Sequence, residues 1–188
     1  MTLARAVLLA ALLPALAQAD QVYLREAEAP RAVFGVGVTA EHRSLDLTGP
    51  ELDALSRLVG RRVDARSYPY LEVSGDAAQG ARPLLGWIFL LDVIGQSLPI
   101  SFAVGVRKDG ALQDLEVMAY REPHGDEIRE RRFRAQFPGK TLREPLAVGK
   151  DVDAITGATI SSYSAAYAAR KALALAEILR RRGGGAAP

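Results

Sequence analysis

The longest apolar stretch of the 188-residue chain beyond its first twenty residues, Leu84 to Val106, is too broken to be a membrane helix. Gly86, Asp92, Gly95, Gln96, Ser97 and Pro99 interrupt it. Such a run folds instead as two strands. Gly86 to Ile94 is apolar on both faces, as a central strand is, and Gly95, Gln96 and Ser97 turn the chain into a second strand, Ile100 to Val106. Lys108, Asp109 and Gly110 make the next turn, where Asp and Gly tolerate the positive φ of a tight hairpin. Leu112 to Tyr120 follows as a third strand, with Leu115, Val117 and Ala119 alternating with Asp114, Glu116 and Met118.

The flanking segments read as helices, strands and loops around this sheet. Thr48 caps a helix running to about Val59, with Pro50 in its first turn and Gly60 at its end. A strand lies around Tyr68 to Val73, and Ser74 to Pro83 is a loop. Asp126 to Arg134 is charged and compatible with a helix, while Pro138 to Asp151 is irregular. An Ala- and Leu-rich helix runs from about Ser162 to Arg182 and is stopped by three glycines, leaving Gly183 to Pro188 as a disordered tail. The length suits a single domain of α+β class, an antiparallel sheet flanked by helices with a long helix at the C-terminus.

Composition narrows the chemistry. Residues 1–19 carry Arg5, an apolar run from Ala6 to Ala17, and the ending Ala17, Gln18, Ala19, the layout of a cleavable export signal. The expectation is a soluble periplasmic or otherwise exported protein that begins near Asp20. There are no cysteines, which excludes disulfides, thiolate metal sites, cysteine-ligated iron-sulfur clusters and a lipid anchor on an N-terminal cysteine. Two histidines are too few to suggest haem. Lys plus Arg exceed Asp plus Glu by only 24 to 22, so a nucleic-acid partner is not expected.

The segment DAITGATISS, residues 153 to 162, carries the most chemistry. Gly157 and Ala158 leave the backbone open, and Thr159 presents a hydroxyl just ahead of a helix whose first N–H groups favour an anion. Thr156, Ser161 and Ser162 add hydroxyls, and Ser161 or Ser162 is a candidate cap. Asp153 lies close enough along the loop to orient or deprotonate the Thr159 hydroxyl, or to hold a metal during its modification. The plainer reading of the same residues is a polar turn followed by a helix cap.

This segment resembles the covalent flavinylation motif of the FMN-binding domain family, in which the final Thr carries FMN through a phosphoester. That family includes flavin subunits of sodium-translocating NADH:quinone reductase and of Rnf complexes, and the regulator of nitrous oxide respiration. The resemblance spans roughly Gly86 to Leu173. Within it, YREPHGDEI at 120–128 stands where relatives have a Glu-Thr-Pro-Gly turn; Glu122 and Gly125 match, whereas Pro123 and His124 depart. FRAQFPGK at 133–140 supplies Gln136, Gly139 and Lys140 near the flavin loop.

The resemblance implies FMN bound covalently to Thr159, with Asp153, Thr156, Gly157, Ala158, Ser161, Glu122, Gly125, Gln136 and Lys140 around it, and no resident metal. It further implies a flavin transferase using FAD and a divalent metal, and membrane-associated redox partner proteins for a monomeric electron carrier. Arg121, Lys140 or a helix N-terminus is expected at the pyrimidine edge, Tyr120, Phe137 or Tyr163 over a ring face, and His124 as a weaker edge candidate. The domain layout is then a signal at 1–19, an N-terminal extension at 20–83, an FMN-binding domain at 84–182 and a tail at 183–188. Two other readings stay open, a flavin-dependent reductase of a small-molecule acceptor and a binding module without flavin.

Overall fold

The computed structural model describes residues 21–77 and 81–183. The signal at 1–19 lies outside the described residues, as do the tail beyond Gly183 and positions 78–80 of the Ser74 to Pro83 loop. The elements are β1 (Gln21–Val22), a 3-10 turn (Glu26–Glu28), α1 (Ala29–Phe34), β2 (Val38–Asp46), α2 (Gly49–Val59), β3 (Ser67–Gly75) and β4 (Leu84–Ile94). β5 (Pro99–Arg107), β6 (Leu112–Tyr120), a second 3-10 turn (Asp126–Arg129), α3 (Arg131–Arg134) and α4 (Thr159–Arg182) complete the chain. The strands form one antiparallel sheet in the order β1-β6-β5-β4-β3-β2. Among the described residues no helix is long and apolar enough to cross a membrane.

The central strands are where the sequence put them because β4 and β5 bury both faces. One face meets α4, on which α2 packs, with Phe89, Leu91, Phe102 and Val104 in the main core; the other meets α1, with Ile88 and Ala103 in a smaller cluster. Gly86 pairs with Arg107, and a Cβ there would meet the Val106 carbonyl oxygen at 2.1 Å. α2 begins as expected: the Glu51 carboxylate accepts from the Thr48 N–H at 2.8 Å and from its hydroxyl at 2.7 Å, and Gly60 ends the helix at φ 73°.

α4 lies close to the sheet because its inner face is built from small residues. Ala165, Ala168, Ala169, Ala172 and Ala176 are buried, with Leu173, Leu175 and Ile178 beside them. Arg170 stitches it in place, donating from Nε to the Leu58 carbonyl at 2.6 Å and from Nη1 to the Pro145 carbonyl at 2.9 Å.

Two predicted boundaries shift for physical reasons. The helix expected over Asp126 to Arg134 is interrupted at Glu130, which is extended at φ −65°, ψ 140°. A continuous helix would place Ile128 and Phe133 about 140° apart around its axis; the break lets both be buried. α4 starts at Thr159 rather than Ser162, and neither Ser161 nor Ser162 caps it, because their hydroxyls are engaged elsewhere. Residues 21–75, which carried no recognisable motif, supply β1, β2 and β3 to the same sheet. Gly86→Ala is expected to lower stability by about 3 kcal/mol, since its clash is with backbone that cannot move aside. Gly139→Ala, strained by its φ of +84° but with no atom nearby, should cost about 1 to 2 kcal/mol; urea unfolding of the two variants checks the order.

Candidate functional site

The residues before α4 form a tight turn. The Ala158 N–H donates to the Ile155 carbonyl at 2.9 Å, and Gly157 occupies the third position at φ +87°, the geometry of a type II turn. Ser162 closes the turn from within the helix. Its hydroxyl donates to the Ala158 carbonyl at 2.9 Å and accepts from the Ile155 N–H at 3.3 Å. Thr159 is the first helical residue and is exposed. Its predecessor, Ala158, supplies no side-chain cap, so the first N–H groups of α4 have neither intrahelical acceptors nor a capping oxygen.

Four braces fix this turn. Gln136 clamps the Asp153 backbone from both sides, accepting from its N–H at 2.7 Å and donating to its carbonyl at 3.3 Å. Lys140 donates from Nζ to the Asp151 carbonyl at 2.8 Å and to its carboxylate at 2.9 Å, while that carboxylate accepts from the Leu146 and Ala147 N–H groups. Burial alone would raise the Asp151 pKa; the Ala147 N–H, Lys140 and the Leu146 N–H together hold it below the usual range. The third brace is buried: Tyr120 donates to the His124 carbonyl at 2.5 Å, leaving its oxygen to accept from Ser161 at 2.7 Å. A Cβ on Gly125 would meet Ser161 Oγ at 2.6 Å, so only glycine lets the 122–125 turn approach the helix.

Glu122 is the fourth brace. Its carboxylate accepts from the backbone N–H groups of Ser97 at 2.5 Å and Leu98 at 2.8 Å, pinning the β4–β5 turn. Burial opposes ionisation there, but the N–H groups of Leu98, Ser97 and Gln96 outweigh it and lower the pKa. Ser164 ties the same turn to α4 by donating to the Ile94 carbonyl at 3.1 Å.

The structure therefore brings Asp153, Thr156, Gly157, Ala158 and Thr159 into one loop. Gln136 and Gly125 touch it directly; Lys140 acts through Asp151; Glu122 stands behind it; Ser161 faces inward to Tyr120. Several expectations change. Tyr120 and Phe137 are core residues, at 2% and 0% exposure, and cannot lie over a ring; Tyr163, at 56%, remains available. Lys140 is committed to Asp151, and Arg121 donates to the Pro99 carbonyl and Ser101 hydroxyl. His124 contributes its carbonyl to the loop's support.

A cleft of about 480 Å³ opens beside the loop, lined by Arg132, Phe133, Gln136, Asp153, Ile155 and Thr156. Arg132 and the bracing roles of Ser162 and Tyr120 had no signal in the sequence, because each depends on how α3 and α4 pack. α3 itself is held by Arg134, which pairs with Glu116 and lies 3.5 Å from Asp114 on β6.

The arrangement suits a phosphate on the Thr159 oxygen. The hydroxyl is exposed, the helix start is uncapped, and no atom lies within 4 Å of where a side chain on Gly157 would begin, so the turn presents bare backbone. The family model of the FMN-binding domain matches residues 95–174, and this part of the chain belongs to that family. No curated protein gave a match to the chain. Residues 95–174 are accordingly an FMN-binding domain, and the match supports flavin binding with FMN as the cofactor.

Two outcomes follow from the braces. Gln136→Leu should speed amide exchange at Asp153 about tenfold, as expected for losing about 1.4 kcal/mol of local hydrogen bonding, with far smaller changes in β4 and β5. The lowered pKa values of Glu122 and Asp151 mean that their contribution to stability is complete above the ordinary values of 4.5 and 3.8. It is lost as the pH falls through the lower, folded-state values. Urea midpoints measured through this acid range should drop, and Glu122→Gln should flatten the drop.

Proposed function

We propose that Thr159 carries FMN through a phosphoester and that the domain is an exported electron carrier working between redox partner proteins associated with a membrane. The observation that carries this reading is the exposed Thr159 hydroxyl on an uncapped helix N-terminus, next to the open backbone of Gly157. A phosphodiester keeps one negative charge, which a helix N-terminus stabilises by about 0.3 to 1 kcal/mol when exposed. Covalent attachment also keeps the cofactor on a protein that has left the compartment where flavins are made.

When bound, FMN supplies the reversible electron chemistry that the side chains of this chain lack. The protein's own part is to position it. Gly157, Ala158 and Thr159 offer the attachment point; Gln136, Lys140, Ser162 and the Tyr120–Ser161 pair keep that point from moving. Asp153 is exposed on the cleft with its backbone clamped, and among the described residues its carboxylate has no hydrogen-bond partner. That leaves it free to orient the Thr159 hydroxyl or a divalent metal when a flavin transferase acts with FAD as donor. A carrier, rather than a reductase with its own substrate, is favoured because Gln136, Lys140 and Ser162 are engaged in holding the loop rather than facing a substrate. The carrier is a monomer with no nucleic-acid role.

Intact mass and flavin fluorescence on a denaturing gel test the reading, using protein exported together with an active transferase. Wild type should carry the adduct and Thr159→Ala should lack it; an unmodified wild type refutes covalent attachment. Asp153→Asn should slow the modification by about a hundredfold or more, the lower end for losing a group that deprotonates a nucleophile. Its urea midpoint should stay within about 0.5 kcal/mol of wild type, as for a surface substitution.

A further inference from the structure

Thr159 shares one stripe of α4 with Tyr163, Ala166, Tyr167 and Arg170, spaced at four, seven, eight and eleven residues. Along this stripe, away from the cleft at Asp153, runs a groove of about 480 Å³. Its floor is Tyr163, Ala166 and Tyr167, and its walls are the end of α2 at Val59 and the segment around Leu146. Arg170 fixes both walls through its bonds to the Leu58 and Pro145 carbonyls. By helix rise, Tyr163 lies about 6 Å and Tyr167 about 12 Å from the Thr159 level.

The charged side chains that line this trough are all cationic. Lys150 and Arg170 line it, the Arg61 guanidinium stacks 3.2 Å from the Tyr167 ring centre, and Lys171 Nζ is 6.0 Å from the same ring. No Asp or Glu lines the groove, and among the described residues Arg61, Lys150, Arg170 and Lys171 form no ion pair. Elsewhere cations do meet carboxylates, such as Arg62 with Asp64, Lys140 with Asp151 and Arg182 with Glu51. The cations crowd one another: burial first, and the Arg61 charge second, push the Lys171 amine down to about 8. A carboxylate arriving here would relieve that crowding.

We propose that this groove docks an acidic partner protein, with carboxylates meeting Arg61, Lys150 and Lys171 and an apolar side chain entering beside Tyr163. A concave trough with an apolar floor and a cationic rim matches a protruding acidic segment rather than a flat bilayer or a phosphate backbone. Docking along the Thr159 stripe brings the partner to the attachment point, so its identity as the electron-exchange partner rests on the reading of Thr159 as the flavin carrier.

The test is an NMR titration of the full chain, without flavin, using a synthetic peptide of alternating Glu and Leu. The same peptide with Lys for Glu and vesicles of anionic phospholipid serve as the other arms. The Glu peptide should shift Gly60, Ala147, Lys150, Tyr163 and Tyr167 and raise the Lys171 pKa. Its affinity should fall about tenfold in high salt, and by a similar factor in Arg61→Gln/Lys150→Gln, two exposed changes whose unchanged melting temperature shows an intact fold. Shifts located elsewhere, no binding, or equal binding of the Lys peptide or the vesicles would overturn the proposal. Failure of the flavin reading shows separately, as an adduct-free wild type beside an active transferase.

Discussion

The position of Thr159 depends on how closely α4 can approach the sheet. The alanines on its inner face let the helix axis lie near β4 and β5, where longer side chains would force it outward. Arg170 and Ser164 then fix its length and rotation, one by reaching back to Leu58 and Pro145 and the other by bonding Ile94. With the helix seated, its first residue stands at a set place beside the β4–β5 turn. The 153–158 loop has only to meet it, and Gln136, Ser162 and Gly125 leave that loop one conformation in which to do so.

Polar side chains in this region are used to hold backbone, and the backbone is what remains available for a ligand. Glu122 accepts from the N–H groups of the β4–β5 turn, Asp151 from those of Leu146 and Ala147, and Gln136 grips both sides of Asp153. The N–H groups opening α4 are the exception, since no side chain caps them. A helix start left uncapped in an otherwise fully braced loop is a stability cost of about 1 kcal/mol relative to a Ser or Asp cap. On the proposed reading, the phosphate of FMN on Thr159 would offset it. The two sides of the helix stripe differ in this: Lys140 and Arg134 near the loop are paired with carboxylates, whereas Arg61, Lys150 and Lys171 along the Tyr163–Tyr167 groove form no ion pair among the described residues.

The sequence was most informative where one physical rule acted alone. Periodicity and turn chemistry located β4, β5 and β6 within two residues, and the Thr48, Pro50 and Gly60 punctuation located α2. β2 went unread because it is mostly exposed and mixes charged residues with Val38 and Ala40, so neither periodicity nor burial stands out. The start of α4 was misplaced because Ser161 and Ser162 look like caps, while in the structure one bonds across to Tyr120 and the other back into the helix. The loop residues were legible because they are contiguous. Residues acting through others, as Lys140 does through Asp151 and Glu122 through the β4–β5 turn, could be named from the family resemblance, but their roles required the fold.

If FMN is carried on Thr159 as proposed, the 153–158 loop is built before the flavin arrives. Amide hydrogen exchange on unmodified and FMN-modified protein measures this directly. Asp153, Ala158 and Ser162 should be protected to the same extent in both forms, with changes confined to Gly157 and the first turn of α4. Rapid exchange at Asp153 and Ala158 in the unmodified protein, slowed only after modification, would mean that the cofactor builds the loop and would contradict the account.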